Sequence, residues 1–302
     1  MAAAAPPAGL TAGGRLAEWR ARPPAYVALD VDGTLVEAAP EPTPDVLAAV
    51  GRLTAAGVHV GLATGRMAAA VGPLLATGAF RGPHVFHNGA LVADGDGTER
   101  AVLGLSDTEV DALLDFARDR DDLVLELYVE RAYLRDRDDA RAAPHARLLG
   151  VAPTGHVRSS ADLAGRTAIK AVAVCFDPAA VDATLAASAT LGLGAGPAGS
   201  PATPQLRYVN ITRAGVDKGS GVAAAADLLG VDLDRVAGVG DETNDLPMLA
   251  RVGTAIAMGG AAAPVRAAAH LVAPTFADGG TLAVLGALRA LAEDGQRAPG
   301  TW

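Results

Sequence analysis

Short apolar runs, each closed by a polar turn and followed by a helical pattern, recur in the first and last thirds of this chain. Ala25-Tyr26-Val27-Ala28-Leu29 leads into Asp30-Val31-Asp32-Gly33-Thr34. Val58-His59-Val60-Gly61-Leu62-Ala63 leads into Thr64-Gly65-Arg66, and Val236-Ala237-Gly238-Val239-Gly240 into Asp241-Glu242-Thr243-Asn244-Asp245. Such runs read as strands of a parallel sheet buried on both faces. Between the first two, Thr43 as N-cap, Pro44 at the first helical position and Asp45 near the positive end predict a helix. Its apolar stripe is Val46, Leu47, Val50 and Leu53. A helix from about Arg66 and a strand over His84–Phe86 follow, then the turn His87-Asn88-Gly89-Ala90 and an apolar Leu91–Ala93. Late in the chain, Asp217 is predicted to cap a helix over Lys218–Leu229 that Gly230 closes. Strands at Arg235–Gly240 and Val252–Ala257 and a last helix near Thr281–Ala292 complete this part.

The middle reads differently. Residues 106–150 are densely charged, Leu123–Tyr128, Ala132–Leu134 and Thr167–Phe176 read as half-buried strands, and helices near 106–118, 138–149 and 178–190 alternate with them. A Gly/Pro-rich stretch over 192–204 reads as the exit, before a strand at Leu206–Ile211. The expected fold is α/β: a doubly wound, Rossmann-like parallel-sheet core from 25–93 and 207–296, with an α/β cap domain inserted at 94–206 and hinged near both ends. A length of 302 residues suits about two domains. The Ala/Pro/Gly-rich residues 1–24 are expected to form a disordered tail, and 297–302 a short second one.

A net charge of −9 argues against nucleic acid or an anionic membrane surface as partner. The longest uncharged stretch, Ala183 to Leu206, is broken by glycines and prolines and is too poor in large apolar side chains for a membrane span. The single Cys175, inside the apolar run Ala171–Phe176, reads as a buried core thiol; with no internal disulfide, a cytoplasmic protein is expected.

In an open parallel sheet the ligand site lies beyond the carboxyl ends of the strands. The three polar tails would meet there, gathering Asp30, Asp32, Asp241 and Asp245, a hydroxyl and several free backbone amides: a site for metal and phosphate. Asp30 and Asp32 lie two residues apart, so in near-extended backbone both project to one side. One can attack phosphorus while the other manages protons. A calcium loop would need glycine at its sixth position, where Leu35 stands, and flanking helices in place of a strand and prolines. The Thr64-Gly65 turn can hold a phosphoryl oxygen on its amides and hydroxyl, though such a turn by itself is far more often structural. Lys218 is one of only two lysines among 25 basic residues. A cation in the first turn of a helix opposes the macrodipole by about 0.3–1 kcal/mol, which suggests a compact charge facing an anion. Asp241 and Asp245 could each be a mere capping or first-turn acid, but together they offer the oxygen ligands a hard cation takes.

Taken in order, the Asp30-Val31-Asp32-Gly33-Thr34, Thr64-Gly65-Arg66, Lys218 and Gly240–Asp245 segments resemble the four motifs of the haloacid dehalogenase superfamily. The insertion between the second and third motifs, and His87-Asn88-Gly89-Ala90 where an Asn-Gly-Ala turn is usual, resemble the Cof-type branch with its class IIB cap. Ala257-Met258-Gly259-Gly260 departs from the pattern, with glycine where the branch shows asparagine; Asp278-Gly279-Gly280 is loosely similar to a late acidic-glycine segment. The resemblance implies a Mg2+-dependent phosphatase acting on a small phosphorylated metabolite, a sugar phosphate first. It implies Asp30 as nucleophile, forming an aspartyl-phosphate, and Asp32 as general acid and then base. Mg2+ would be bound by Asp30, the Asp32 backbone carbonyl and Asp241, with Asp245 in support. Thr64, Gly65, Lys218 and Asn244 would hold the phosphoryl group, with Val31 and Asn88 among the substrate-binding positions. Dehalogenases lack the second aspartate and transport ATPases carry threonine there. A phosphosugar mutase and a non-catalytic sensor of a phosphorylated ligand stand as rival readings. The stretch Arg131, Arg135, Arg137, Arg141, His145, Arg147 could meet an anionic leaving group, but interleaved Asp136, Asp138 and Asp139 favour a solvated charged face.

Overall fold

The computed structural model describes residues 5–37, 41–129, 132–199 and 202–297. In chain order the strands and helices begin with β1 (Thr11–Ala12), β2 (Tyr26–Leu29), α1 (Pro44–Ala55), β3 (His59–Leu62), α2 (Gly72–Ala76), β4 (His84–Phe86), β5 (Leu91–Ala93) and β6 (Glu99–Val102). They continue with α3 (Asp107–Ala117), β7 (Leu123–Val129), β8 (Ala132–Arg135), α4 (Ala143–Leu149), β9 (Lys170–Cys175), α5 (Pro178–Thr190), β10 (Gly194–Ala198) and β11 (Arg207–Thr212). Last come α6 (Lys218–Leu229), β12 (Val236–Gly240), α7 (Leu246–Arg251), β13 (Thr254–Ala257), α8 (Ala263–Ala268), β14 (Leu271–Val272) and α9 (Gly280–Arg297). Two compact units result. The first comprises the chain up to Met67, Val71–Ala101 and the part from Asp217 onward; the second comprises Val102–Val216 with Ala68–Ala70.

The first unit is built on a sheet of order β1-β14-β13-β12-β2-β3, parallel throughout except at β1. All residues of β2, β12 and β13 are buried. Tyr26, Ala28, Ala255 and Ala257 pack with Val222, Ala225, Met248 and Val265 of α6, α7 and α8. Val27, Leu29 and Ile256 alternate with them and are equally buried, so both sheet faces are covered, as a doubly wound sheet requires. Thr43 caps α1 by accepting from the Val46 N–H, with Pro44 at the first position, as the sequence predicts. The helix expected from Arg66 is instead a single tight turn over Ala68–Val71 followed by α2.

Residues 5–24 are not a disordered tail. Thr11 and Ala12 pair with Val272 and Leu271. Trp19 is 1% exposed and donates its indole N–H to Thr254 Oγ1 at 3.1 Å. Arg15 Nη1 reaches the Leu249 and Ala268 carbonyls at 3.2 and 3.3 Å. One large aromatic and one strand pairing order a segment whose average composition is that of a linker. The last helix runs on to Arg297, past the expected end near Ala292.

The second unit carries an antiparallel sheet of order β10-β11-β9-β7-β8. Strand β11, expected in the core, belongs to this sheet, where Val209 pairs with Ala173 of β9. The boundary therefore falls after Val216 and not at 206, and the entry boundary falls near 101 and not 93. Within the Gly/Pro-rich exit, Gly194–Ala198 forms strand β10. It lies at the edge of the sheet, where Pro197 leaves no central ladder bond unmade. On one face Leu123, Leu125, Leu127, Ala171, Ala173, Val209 and Ile211 pack against Val110, Leu113 and Leu114 of α3 and Ala180 of α5. Cys175 lies in that core, and burial pushes its thiol up to about 11.

The opposite face of the sheet is polar. Arg135 Nε and Nη2 both donate to Glu126 Oε1, at 3.0 and 2.8 Å, and both side chains are buried. Arg141 is held by Asp139 and by the Asp121 carbonyl and stacks 4.1 Å above the Phe176 ring. Arg137, by contrast, lies on the α3 side, bound to Asp136 and to the Ala117 carbonyl of α3. Arg135 is therefore buried against Glu126 and no part of a solvated face, whereas Arg141 is 54% exposed beside Asp139; Arg131 lies outside the described residues.

Candidate functional site

Strands β2, β3 and β12 run parallel and side by side, so the segments that follow them share one edge of the first unit. Asp30 extends the β2 ladder by one bond, its N–H donating to the Val239 carbonyl at 2.9 Å, and its side chain is buried. The chain then turns back: Leu35 and Val36 N–H groups donate to the Val31 carbonyl at 2.9 Å, with the Val31 side chain in the core. Gly33 sits at φ +77°, and a Cβ there would lie 2.0 Å from Asp241 Oδ2, so only glycine lets the first motif approach the fourth. Thr281 donates to the Thr34 carbonyl at 2.6 Å and ties the start of α9, beside Asp278-Gly279-Gly280, to this loop.

Lys218, the first residue of α6, is 1% exposed and donates from Nζ to Asp30 Oδ1 and Asp245 Oδ1, each at 2.6 Å. The other Asp245 oxygen accepts the Asp241 and Glu242 N–H groups at 3.0 Å. Thr34 Oγ1 donates to Asp241 Oδ1 at 3.3 Å. Ligand oxygens of Asp30, Asp241 and Asp245 lie within 4.8 Å of one another. Three carboxylates against one ammonium leave two negative charges uncompensated in a buried place. Burial holds the Asp30 carboxyl well above the usual range; Lys218 opposes that rise, and Asp245 and Asp241 add to it. Burial, with Asp245 and Glu242, raises Asp241 to about 6. Burial pulls Lys218 down, but Asp30 and Asp245 outweigh it and the ammonium ends up raised. An all-carboxylate donor set carrying two excess negative charges fits a hard divalent cation.

Asp32 points elsewhere. Its carboxylate is 57% exposed and takes a forked pair of hydrogen bonds from Arg66, Nε to Oδ2 at 2.9 Å and Nη2 to Oδ1. Arg66 belongs to the second motif, yet no site role was expected for it. The cue was present: it is the cation at a strand end facing an acidic tail, and only the fork shows which carboxylate it serves.

Thr64 is fully buried; its hydroxyl accepts the Arg66 N–H at 3.1 Å. The His87–Gly89 turn is bonded to this loop, His87 N–H to the Arg66 carbonyl and Asn88 N–H to the Thr64 carbonyl, both at 3.1 Å. His87, Asn88 and Gly89 have φ of 52°, 56° and 104°, three left-handed residues in a row. At Gly89 a Cβ would meet the Asp217 carbonyl oxygen at 1.9 Å, so glycine lets the turn press on the start of α6. Asn88 Oδ1 accepts from Asn244 Nδ2 at 3.1 Å and would lie 2.9 Å from a Cβ on Gly65. Thr64, Gly65, Asn88 and Asn244 are thus linked in one group, and Asp30, Lys218, Asp241 and Asp245 in another. The Ala257–Gly260 segment joins through its backbone, Met258 N–H donating to the Gly240 carbonyl at 3.0 Å.

The family model of the haloacid dehalogenase-like hydrolases matches residues 27–285. The chain belongs to that family. This haloacid dehalogenase-like hydrolase is 35% identical over 78 residues to a Haemophilus influenzae protein named "Putative phosphatase", a match spanning 26% of this chain and 30% of that one. Among solved structures it resembles a phosphatase of the same superfamily from Bacteroides thetaiotaomicron, at TM-score 0.71 and 23% identity over 88% of this chain and 95% of that one. It also resembles a subclass IIB sugar phosphatase, at TM-score 0.69 and 20% identity over 86% and 97%. A Thermotoga maritima protein gives TM-score 0.73 and 20% identity over 87% and 97%. The hydrolase has no helix among its described residues long and apolar enough to cross a membrane.

Proposed function

We propose that this hydrolase is a phosphatase that transfers the phosphoryl group of a small phosphomonoester first to Asp30 and then to water. The observation that carries the reading is the buried cluster in which Lys218 bridges Asp30 and Asp245 while Asp241 adds a third carboxylate. Phosphoryl transfer asks chiefly for alignment and charge neutralisation, and this cluster offers both. In the first step an Asp30 oxygen bonds to phosphorus as the bond to the leaving oxygen breaks, and Asp32 gives its proton to that oxygen. In the second, a water oxygen attacks phosphorus and Asp32 takes back a proton. The bond to Asp30 breaks, and phosphate leaves. Lys218, Asn244 and the turns at Val31 and Thr64-Gly65 hold the non-bridging oxygens, with Asn88 beside them. Asp30, the Asp32 carbonyl and Asp241, with Asp245 in support, would hold Mg2+, which would supply the remaining positive charge. Arg66 keeps the Asp32 side chain in one orientation. A sugar phosphate is the favoured substrate, in keeping with the sugar phosphatase among the structural relatives.

Phosphate release from a panel of small phosphomonoesters, measured with Mg2+ and with EDTA, tests the reading. Release is expected with Mg2+, lost with EDTA and restored on adding the metal back. No release from any compound would overturn it in favour of a mutase or a sensor. With the best substrate of that panel, Asp32→Asn is expected to lower kcat by about 10²–10⁴, the usual share of a general acid–base. A variant within a few-fold of wild type would remove Asp32 from the mechanism.

A further inference from the structure

Both lysines of this chain are buried, Lys218 at 1% exposure and Lys170 at 7%, so the side-chain cations at its surface are arginines. Four of these, Arg15, Arg20, Arg22 and Arg251, line a cleft of about 330 Å³ together with His270. That volume lies within the range of small-molecule sites. The cleft belongs wholly to the first unit. Arg22, Asp234, Gly253 and His270, all part of its lining, stand shortly before β2, β12, β13 and β14. It therefore opens where the parallel strands begin, at the edge opposite the Asp30 cluster. The pairing of β1 and the buried Trp19 hold the segment that carries Arg15, Arg20 and Arg22, so the cleft is formed in advance of any ligand.

Arg15 is anchored, with Nε on Glu18 Oε2 at 2.8 Å and Nη1 on the Leu249 and Ala268 carbonyls. The other three keep donors in hand. Among the described residues the Arg20 side chain bonds only the Ala17 and Trp19 carbonyls, Arg22 only Asp234, and Arg251 only Asp217 and the Pro247 carbonyl. Each does so through Nη1, which leaves Nε and Nη2 for solvent or a ligand. The pairs Arg15–Glu18 and Arg22–Asp234 are partly exposed, the kind weak enough to share a guanidinium with another anion. His270 adds a donor of a different kind. It is 4% exposed, and its Nδ1 accepts the Ala255 N–H at 3.0 Å, so the neutral ring carries its proton on Nε2. That nitrogen has no partner among the described residues. Burial and Arg15, opposed by Glu18, hold the imidazole below its ordinary pKa, so the donor is uncharged at neutral pH. Guanidiniums and a buried N–H brought together from three stretches of chain call for an anion rich in acceptors, in a protein whose net charge is −9. A carboxylate presents its oxygens in one plane, whereas linked phosphates present them all round. We propose that this cleft binds an oligophosphate, a diphosphate or triphosphate group free or carried on a small metabolite, through Arg20, Arg22, Arg251 and the His270 Nε2–H.

The full chain, held free of metal with EDTA, is titrated calorimetrically with inorganic diphosphate, inorganic triphosphate and ADP, and with citrate as a carboxylate control, all at matched ionic strength. Saturable binding of at least one phosphate compound is expected, with half-saturation of about 0.1–1 mM. ADP binding as well as diphosphate would assign a carried group, and diphosphate or triphosphate alone a free one. The combined variant Arg20→Gln and Arg22→Gln is expected to weaken binding by about 10–100-fold, while Asp30→Asn, altered at the other edge, binds as the parent does. A second readout needs no arginine variant. In protein carrying nitrogen-labelled histidine, the His270 resonance, one of six and assigned by His270→Gln, is expected to shift as diphosphate is added. Citrate binding as tightly as diphosphate, equal affinity in the arginine variant, or a His270 resonance that ignores saturating diphosphate would each overturn the proposal. The Asp30 chemistry is measured by phosphate release, so either site can fail without the other.

Discussion

Asp30→Asn is expected to abolish turnover while leaving the melting temperature at or above that of the metal-free parent. Asparagine keeps the shape of the side chain and its place at the end of β2, but an amide oxygen does not displace a leaving group from phosphorus. A loss of at least about 10⁴ in kcat, close to 5 kcal/mol of barrier, is expected. The stability side follows from sign. A carboxyl held above its ordinary pKa is less stable ionised in the fold than in the unfolded chain, so replacing it with a neutral group removes a penalty present at neutral pH. Lys218 keeps Asp245 as partner in the variant. Activity within tenfold of wild type would remove Asp30 as nucleophile. Lost activity together with a fall in melting temperature would instead make its role structural.

Arg135→Ala is expected to destabilise the protein by about 3–5 kcal/mol, because it leaves Glu126 buried without its forked partner. Denaturant unfolding of the full chain measures this. The partner test is Arg135→Ala combined with Glu126→Gln: with the carboxylate neutralised, much of the loss is expected to return, an interaction energy that two independent sites would not show. A cost below about 1 kcal/mol for Arg135→Ala would mean that the pair behaves like an exposed one.

The features legible in the sequence are those that local rules write. The β2, β3 and β12 runs, the Thr43 and Asp217 caps and the three polar tails each depend on residues a few positions apart, and the meeting of the tails follows from parallel-sheet geometry. Lys218 could be singled out because its charge stands against its own helix. The features that escaped depend on distant pairing or on a minority of residues in a misleading composition. Trp19 is one aromatic in an Ala/Pro/Gly segment, and its acceptor, Thr254, lies 235 residues away. β10 is a strand because β11 offers it a ladder, not because Gly194-Ala195-Gly196-Pro197-Ala198 favours one. The reading of Arg135 as a solvated charge failed because Glu126 stands opposite it in the antiparallel register of β7 and β8, inside an apolar run that gave no reason to expect a carboxylate partner. Arg66 escaped because a motif shows which residues gather but not which of them fork together.

With both lysines out of reach of solvent, the surface cations of this protein are arginines. Reagents and enzymes that acylate lysine would leave its external charge pattern unchanged. A guanidinium also keeps its proton at any pH at which the fold survives. The side-chain cations at the surface are thus closed to lysine-directed chemistry, and the two side-chain amines it could adjust are the two held inside.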